Sequence, residues 1–316
     1  MPLMYDPKYA HHPALREYFT PFASPAFYAD VEALQITAAS VLHPICQSFA
    51  ANLRSVEATV SMPFYMAVSA IHGARFQLIL AAEKIRALKD HQEDEVITAV
   101  ALPIARKKFK EEILSSNDGG LLVEQTLGEL AKSLENEHMR TAARELLRSS
   151  LVLIWGALEV LINDTVEIAI NVKPKLYELL VKNEKVKRRM NLKVLTFEDL
   201  KRFGFNVSSR LGTVMLENNK LDSVGTIRDV FDALAPDNSS LRESLQAQKL
   251  WAMWQKRNAI VHRRAIADRQ YLDSTGDPAC HLGQPLVITP EDIQEYFEFS
   301  RAIGINVIQA VSELVG

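Results

Sequence analysis

Apolar positions along this chain recur mostly at the three- and four-residue spacing of a helix, and strand signals are nearly absent. No Asn-Gly hairpin turn and no run of alternating β-branched residues breaks that pattern. It predicts helices over Ala29–Ser61 (interrupted near Pro44), Pro63–Lys89, Leu121–Glu137 and Thr141–Ile170. Further helices are expected over Pro174–Arg189, Thr226–Leu234, Leu241–Ala267 and Pro290–Leu314. Pro13, Pro21 and Pro25 break up the first 26 residues, which read as irregular. The fold class is therefore all-α.

Punctuation sets the organisation. "SSNDGG" (Ser115–Gly120) is the clearest internal break, because Ser, Asn and Asp compete for the backbone and glycine admits φ > 0. A boundary is expected between it and Arg140, giving an N-terminal helical region, 1–138, and a helical bundle, 139–316. "DSTGDPACHLGQP" (Asp273–Pro285) is a second loop, and "TPED" after it starts the last helix. Thr289 suits the N-cap, Pro290 the first helical position, and Glu291 and Asp292 the positive end of the helix dipole.

Composition narrows the class. A chain of 316 residues, 48% hydrophobic and 24% charged, is ordinary for a globular protein. The N-terminus shows no secretory pattern, and the longest apolar run, "LVLIWGALEVLI", is interrupted by Glu159 and shorter than the roughly 20 residues that a membrane helix takes. A cytoplasmic location is the default expectation. Cys46 and Cys280, even with His43 and His281 nearby, make neither a metal-ligand spacing nor a disulfide framework. The net charge of −3 is unevenly spread: residues 1–138 carry 12 Lys and Arg against 17 Asp and Glu, and residues 139–316 carry 24 against 22. That asymmetry is compatible with a polyanion partner for the second half.

The second half also holds "WAMWQKRNAIVHRRAI" (Trp251–Ile266). On a helical wheel Leu250, Trp251, Trp254, Val261 and Ala265 share an apolar arc, extended by Met253 and Ile260. Arg257 falls inside the arc, Asn258 and His262 share its other margin, and Lys256 and Arg263 point away. An arginine in an apolar stripe needs a partner, since its charge cannot be shed. Glu159, the sole charge in "LVLIWGALEVLI", is the plausible one. A structural Arg257–Glu159 pair, with Asn258 and His262 as bonded core residues, would explain all of this without function.

The same residues also suit chemistry. Histidine moves protons near neutral pH, an arginine fork grips phosphate, and asparagine can orient either. Together they fit cleavage of RNA by attack of the 2′-hydroxyl on the adjacent phosphate, which needs no metal and no cofactor. The difficulty is geometric: Arg257 and His262 are five apart, so roughly 140° apart around a regular helix. A distorted helix, a long arginine reach, or a second copy of the chain across a two-fold axis would each solve it.

Arg257-Asn258-Ala259-Ile260-Val261-His262 resembles the R-x4-6-H motif of HEPN-domain ribonucleases, including the polar residue that often follows the arginine. The context is similar too: "LLRSSLVLIWGALEVLINDTVEIAI" upstream and "GQPLVITPEDIQEYF" with a final helix downstream. The resemblance covers about Arg140–Val315 and is to the larger bacterial variants associated with toxins and antiviral defence. It implies a HEPN-like helical bundle and a metal-independent endoribonuclease, working as a homodimer whose two motifs face each other across a basic cleft. Carried over, Arg257 and His262 are the catalytic pair, Asn258 positions them, and Glu159 stands where many such families carry an acid. Arg263 and Arg264, directly after the histidine, and Lys256 are the candidate RNA contacts. An antitoxin or a defence partner is the further partner it suggests. The alternative is an inactive HEPN-like scaffold for protein–protein contact. "KNEKVKRRMNLK" (Lys182–Lys193) has six basic residues and one acid, and reads as a solvated face or an RNA-backbone contact. Trp251 and Trp254 read as core or dimer contacts because they share the apolar arc.

Overall fold

A computed structural model describes residues 8–9, 11–20, 34, 36, 39–90, 93–115, 120–190, 192, 196–207, 209–217, 219–277 and 280–316. Among them are thirteen α-helices. The first four are long: α1 (His43–Ala87), α2 (Asp94–Ser115), α3 (Gly120–Ser133) and α4 (Glu137–Val172). Shorter ones follow: α5 (Lys175–Lys182), α6 (Glu184–Met190), α7 (Phe197–Arg202), α8 (Leu211–Glu217), α9 (Val224–Leu234) and α10 (Ser239–Gln246). The chain ends in α11 (Gln248–Arg263), α12 (Arg269–Thr275) and α13 (Pro290–Val315). The only β pairing among the described residues is an isolated antiparallel bridge, Ile266 to Pro285.

The packing divides the chain into two compact units, each made of two stretches: Met1–Ala23 with Thr59–Glu145, and Ser24–Ala58 with Leu146–Gly316. This differs from the expected division at 138/139. The start of α1 groups with the C-terminal bundle because its apolar face is buried there. Leu42, Phe49 and Leu53 are at most 1% exposed. A Cβ on Gly304 of α13 would lie 2.3 Å from the Phe49 ring and 3.0 Å from Leu161, so glycine lets the helices approach closely.

In the first unit, Tyr18 and Ser133 hydroxyls are 2.8 Å apart, and Arg144 bonds both carboxylate oxygens of Glu17. Glu83, buried in α1, accepts from Lys108 of α2 at 2.7 Å and from Arg86 at 2.5 Å. The Lys108 bond first, then the two positive charges, holds its carboxyl below the usual glutamate range.

In the second unit the middle of α4 is core on most of its faces: Leu151, Ile154, Trp155, Leu158, Leu161, Ile162 and Val166 are almost fully buried. Each such side chain contributes about 1.5–3 kcal/mol by leaving water. Phe297, Ile303, Val307, Ile308 and Val311 of α13 are buried with them. The C-terminal part of α4 also organises α8. Asn171 Oδ1 accepts from the Gly212 amide at 2.8 Å, and Thr213 Oγ1 donates to Glu167 Oε1 at 2.7 Å.

Caps fix many of the boundaries. Ser223, Asn238, Asp268 and Thr289 each accept from an amide three residues on, and Thr289 with Asp292 completes a reciprocal capping box. Four expected helices differ from what forms. Pro63 lies inside α1 and does not end it, while Pro44 sits in the first turn, where its missing N–H costs nothing. The stretch over Pro174–Arg189 breaks at Asn183, whose extended backbone ends α5 and whose Oδ1 accepts from the Lys185 and Val186 amides to start α6. The stretch over Leu241–Ala267 breaks at Ala247, which has ψ 135°. By length and composition α1 is the one helix among the described residues that could cross a membrane. Its 18-residue window has a mean hydropathy of 1.2.

Candidate active site

The site is built on α11. Leu250, Met253 and Ala259 are its buried residues. Two ion pairs, Lys249 to Glu295 at 2.9 Å and Lys256 to Asp292 at 3.3 Å, tie α11 to α13 at points two turns apart. Its C-terminus is fixed with equal care. Arg264 (φ 55°) and Ala265 (φ 58°) both take the left-handed conformation, which costs a non-glycine residue about 1–2 kcal/mol each. Both amides turn back to the Ala259 carbonyl, the second at 3.0 Å. Ala265 O then accepts from Leu286 N at 2.7 Å, and Ala267 exchanges backbone bonds with Gln284 and Gly283. Ala259, Ala265, Ala267, Tyr271 and Leu286 form a small core that holds this return. The result is a helix that stops one residue after His262, leaving that side chain in the last turn and exposed to solvent.

A groove of about 820 Å³ runs along this end of α11. Glu159, Arg257, Asn258, His262 and Arg263 all line it. The Arg257 and Glu159 side chains are 25% and 22% exposed, with Nη2 to Oε2 at 3.9 Å. That is a charge contact and not a hydrogen bond. Glu159 Oε2 instead accepts from Trp155 Nε1 at 2.8 Å. Arg257 Nη1 donates to Asn258 Oδ1 at 3.0 Å, and its buried Nε has no hydrogen-bond partner among the described residues. A guanidinium carries five N–H donors, so most of the Arg257 fork is unused. The opposite wall is held to α4 by the Leu221 amide, which donates to Asn163 Oδ1 at 3.0 Å, and it brings Lys220, Asp222 and Ser223 to the rim. Arg257 and His262 thus share one groove on a regular helix. Among the described residues no bond joins them, so a bound group would have to span them.

Other expected residues are placed differently. Lys256 does not point away: its side chain is 13% exposed, its ammonium lies 5.6 Å from the Tyr296 ring centroid, and it is paired with Asp292. Burial works against its charge, but Tyr296, Asp292 and Asp277 outweigh it and raise its pKa above the ordinary lysine value. Arg263 pairs with Asp268 and donates to Gln270 at 2.9 Å, so its charge is partly used at the groove wall. Arg264 is exposed and lies outside the groove lining.

Trp251 and Trp254 are not core. Both line the groove, with ring centroids 5.0 Å apart, and their indole N–H groups donate to Ser274 O and Asp222 O at 3.0 Å. The signal available in the sequence was an i,i+3 tryptophan pair carrying two donors that a dry core must satisfy. Tyr271 is a further wall residue that the sequence reading did not single out. Burial first, and then its bond to Asp277, pushes its phenol well up, so it remains protonated. No group of three or more His, Cys, Asp and Glu that could hold a metal ion occurs among the described residues.

Comparison with known proteins gives one match. A family model described as RiboL-PSP-HEPN matches residues 123–313, well over half of the chain, and that span contains the whole groove lining. No curated protein and no solved structure matches. The R-x4-H spacing of Arg257 and His262, the helical architecture and the span of the match agree, and the chain belongs to the RiboL-PSP-HEPN family of HEPN domains.

Proposed function

We propose that the protein is a metal-independent endoribonuclease acting through the Arg257–His262 groove. The observation that carries this reading is the unused Arg257 fork, opening with an exposed histidine into one groove. Arg257 binds the non-bridging oxygens of the scissile phosphate and stabilises the charge that builds there. His262 transfers a proton, either from the attacking 2′-hydroxyl or to the departing 5′-oxygen. The 2′-oxygen forms a bond to phosphorus as the bond to the 5′-oxygen breaks, leaving a cyclic phosphate and a 5′-hydroxyl. Asn258 orients the guanidinium through its 3.0 Å bond, and Glu159 faces it from α4. Where one chain supplies only one proton-transfer group, a homodimer would supply two arginines and two histidines to one cleft. A role as a toxin or an antiviral effector is the biological setting that the family resemblance suggests.

The test is cleavage of a labelled RNA by the wild type, Arg257→Ala and His262→Ala in the presence of EDTA, with end-group analysis. Each variant should lose at least about 100-fold in rate, the usual scale for removing a charge stabiliser or a proton-transfer group. The wild type should leave cyclic or 3′-phosphate ends. A composite dimer site predicts that mixing the two dead variants restores part of the activity. Loss of wild-type cleavage with EDTA would overturn the mechanism. Unchanged cleavage in both variants would favour the scaffold reading, in which the pair serves stability alone.

A further inference from the structure

The groove that holds Arg257 and His262 is nearly neutral. Its lining holds Lys220, Arg257 and Arg263 against Glu159, Asp222 and Asp268. RNA affinity comes largely from phosphate neutralisation with counterion release. This groove alone offers little net positive charge, so a polyanion needs a second foothold.

One lies beyond the tryptophans. A neighbouring recess of about 360 Å³ shares Ser223, Trp251 and Trp254 with the first groove, and its other charged lining residues are Lys185, Arg189 and Arg228 with Asp229 and Asp232. A third, shallow recess is lined by Glu184, Lys185, Lys187 and Arg188 of α6. The three depressions join through shared walls: the tryptophan pair between the first two, Lys185 between the last two. Not every cation on this path is available. Arg189 is paired with Asp229 at 2.5 Å, Arg228 donates to Leu245 O at 2.6 Å, and Lys187 lies 3.9 Å from Glu184. Lys185 and Arg188 are exposed and have no ionic partner among the described residues. The two indoles between the grooves are held by their N–H bonds to backbone carbonyls, so their positions are set before any ligand arrives. A fixed aromatic surface flanked by cations is the arrangement that binds single-stranded nucleic acid, because every base has a face to stack.

We propose that single-stranded RNA runs from the Arg257–His262 groove across Trp251 and Trp254 to α6, with a base stacked on the tryptophan pair and phosphates on Lys185 and Arg188. This rests on the ribonuclease reading and adds to it the form of the substrate. A duplex could not place an unstacked base on the tryptophans. A single strand can, and its phosphates beyond the cleaved step then reach the cations of α6 left unpaired among the described residues.

The experiment measures binding apart from cleavage. The probe is a fluorescein-labelled, mixed-sequence 2′-O-methyl oligoribonucleotide of about 12 nucleotides, a length in the range of single-strand binding sites. It has no free 2′-hydroxyl and cannot be cut. The full chain should bind it with a salt-dependent affinity. A Lys185→Ala/Arg188→Ala double variant should lower the salt slope by about 1.4, at roughly 0.7 per phosphate contact for a single strand. Trp254→Ala should weaken binding about 5-fold or more, the low end for one stacked base, and Trp254→Phe should restore most of it. Both α6 substitutions are at exposed positions, so they test the track even if Trp254→Ala fails to fold. Wild-type affinity and salt slope in the double variant would overturn the proposal and leave the basic helix as a solvated face, whatever the cleavage assay shows. So would a preference for the same sequence as a duplex. A chain that binds the probe as expected but cuts no RNA would remove the ribonuclease reading and leave the track standing. A chain that cuts RNA but binds the probe no better than the double variant does would do the reverse.

Discussion

Lys256 and Arg257 are neighbours in sequence with opposite fates, and the difference lies in their bonding. Lys256 is spent on Asp292 and the Tyr296 ring, whereas Arg257 keeps a buried Nε without a hydrogen-bond partner among the described residues. The helical wheel sets Arg257 inside the apolar arc and Lys256 away from it; the packing of α11 on α13 buries Lys256 all the same. Lys256→Met should therefore lower stability by about 1–3 kcal/mol, the scale of losing a bond to a charged group, while leaving RNA cleavage at low temperature close to wild type. The pH dependence follows from the direction of its shift. A lysine whose folded pKa is raised contributes stability that is fully present below its unfolded value, roughly 10.4, and is lost as pH rises through the higher folded value. Wild type and Lys256→Met should accordingly differ most in Tm at neutral pH and converge in strong alkali. A constant gap across that range would mean that packing of the stem, and not the charge, is what Lys256 supplies.

At the level of the element, the end of α11 carries a cost that the rest of the fold offsets. Arg264 is the exposed member of the left-handed pair. Glycine has no Cβ to clash there, so Arg264→Gly should stabilise by up to about 1 kcal/mol even after glycine's larger entropy loss. Thermal melts check the stability, and parallel cleavage assays show whether Arg264 also contacts RNA: a raised Tm with weakened cleavage would assign it both roles. The turn was not legible in the sequence, because nothing in Arg264-Ala265 resembles a glycine stop and the strain is repaid by contacts from residues 283–286. The final helix was legible, since Thr289-Pro290-Glu291-Asp292 states its own cap. By contrast α2 went unread, as its apolar residues spread around the helix, give no stripe to detect, and include Pro103. The site followed the same rule. Arg257, Asn258, His262 and Glu159 could be found from type and spacing, whereas the tryptophans' turn to the groove depends on carbonyls at Ser274 and Asp222 that lie far away in sequence.

At the scale of the whole molecule, the two compact units alternate along the sequence. One changes to the other within α1 at Ala58/Thr59 and again within α4 at Glu145/Leu146. The family match begins at residue 123, so it omits the stretch of α1 that packs with the bundle carrying the groove. That stretch holds Phe49 and Leu53, and Leu42 directly precedes it; each is at most 1% exposed, with Phe49 set against Gly304 and Leu161. At about 1.5–3 kcal/mol for each large apolar side chain, their removal would cost on the order of 5–9 kcal/mol. A domain of this size has only about 5–15 kcal/mol in total. A truncated chain of residues 139–316 should therefore keep the R-x4-H motif and lose the fold, showing a broad, low thermal transition and no RNA cleavage. Supplying residues 39–58 as a separate peptide should raise that transition, and Phe49→Ala in the peptide should blunt the effect. A truncated chain that melts cooperatively at the full-length temperature would show that the motif-bearing bundle stands without its N-terminal helix.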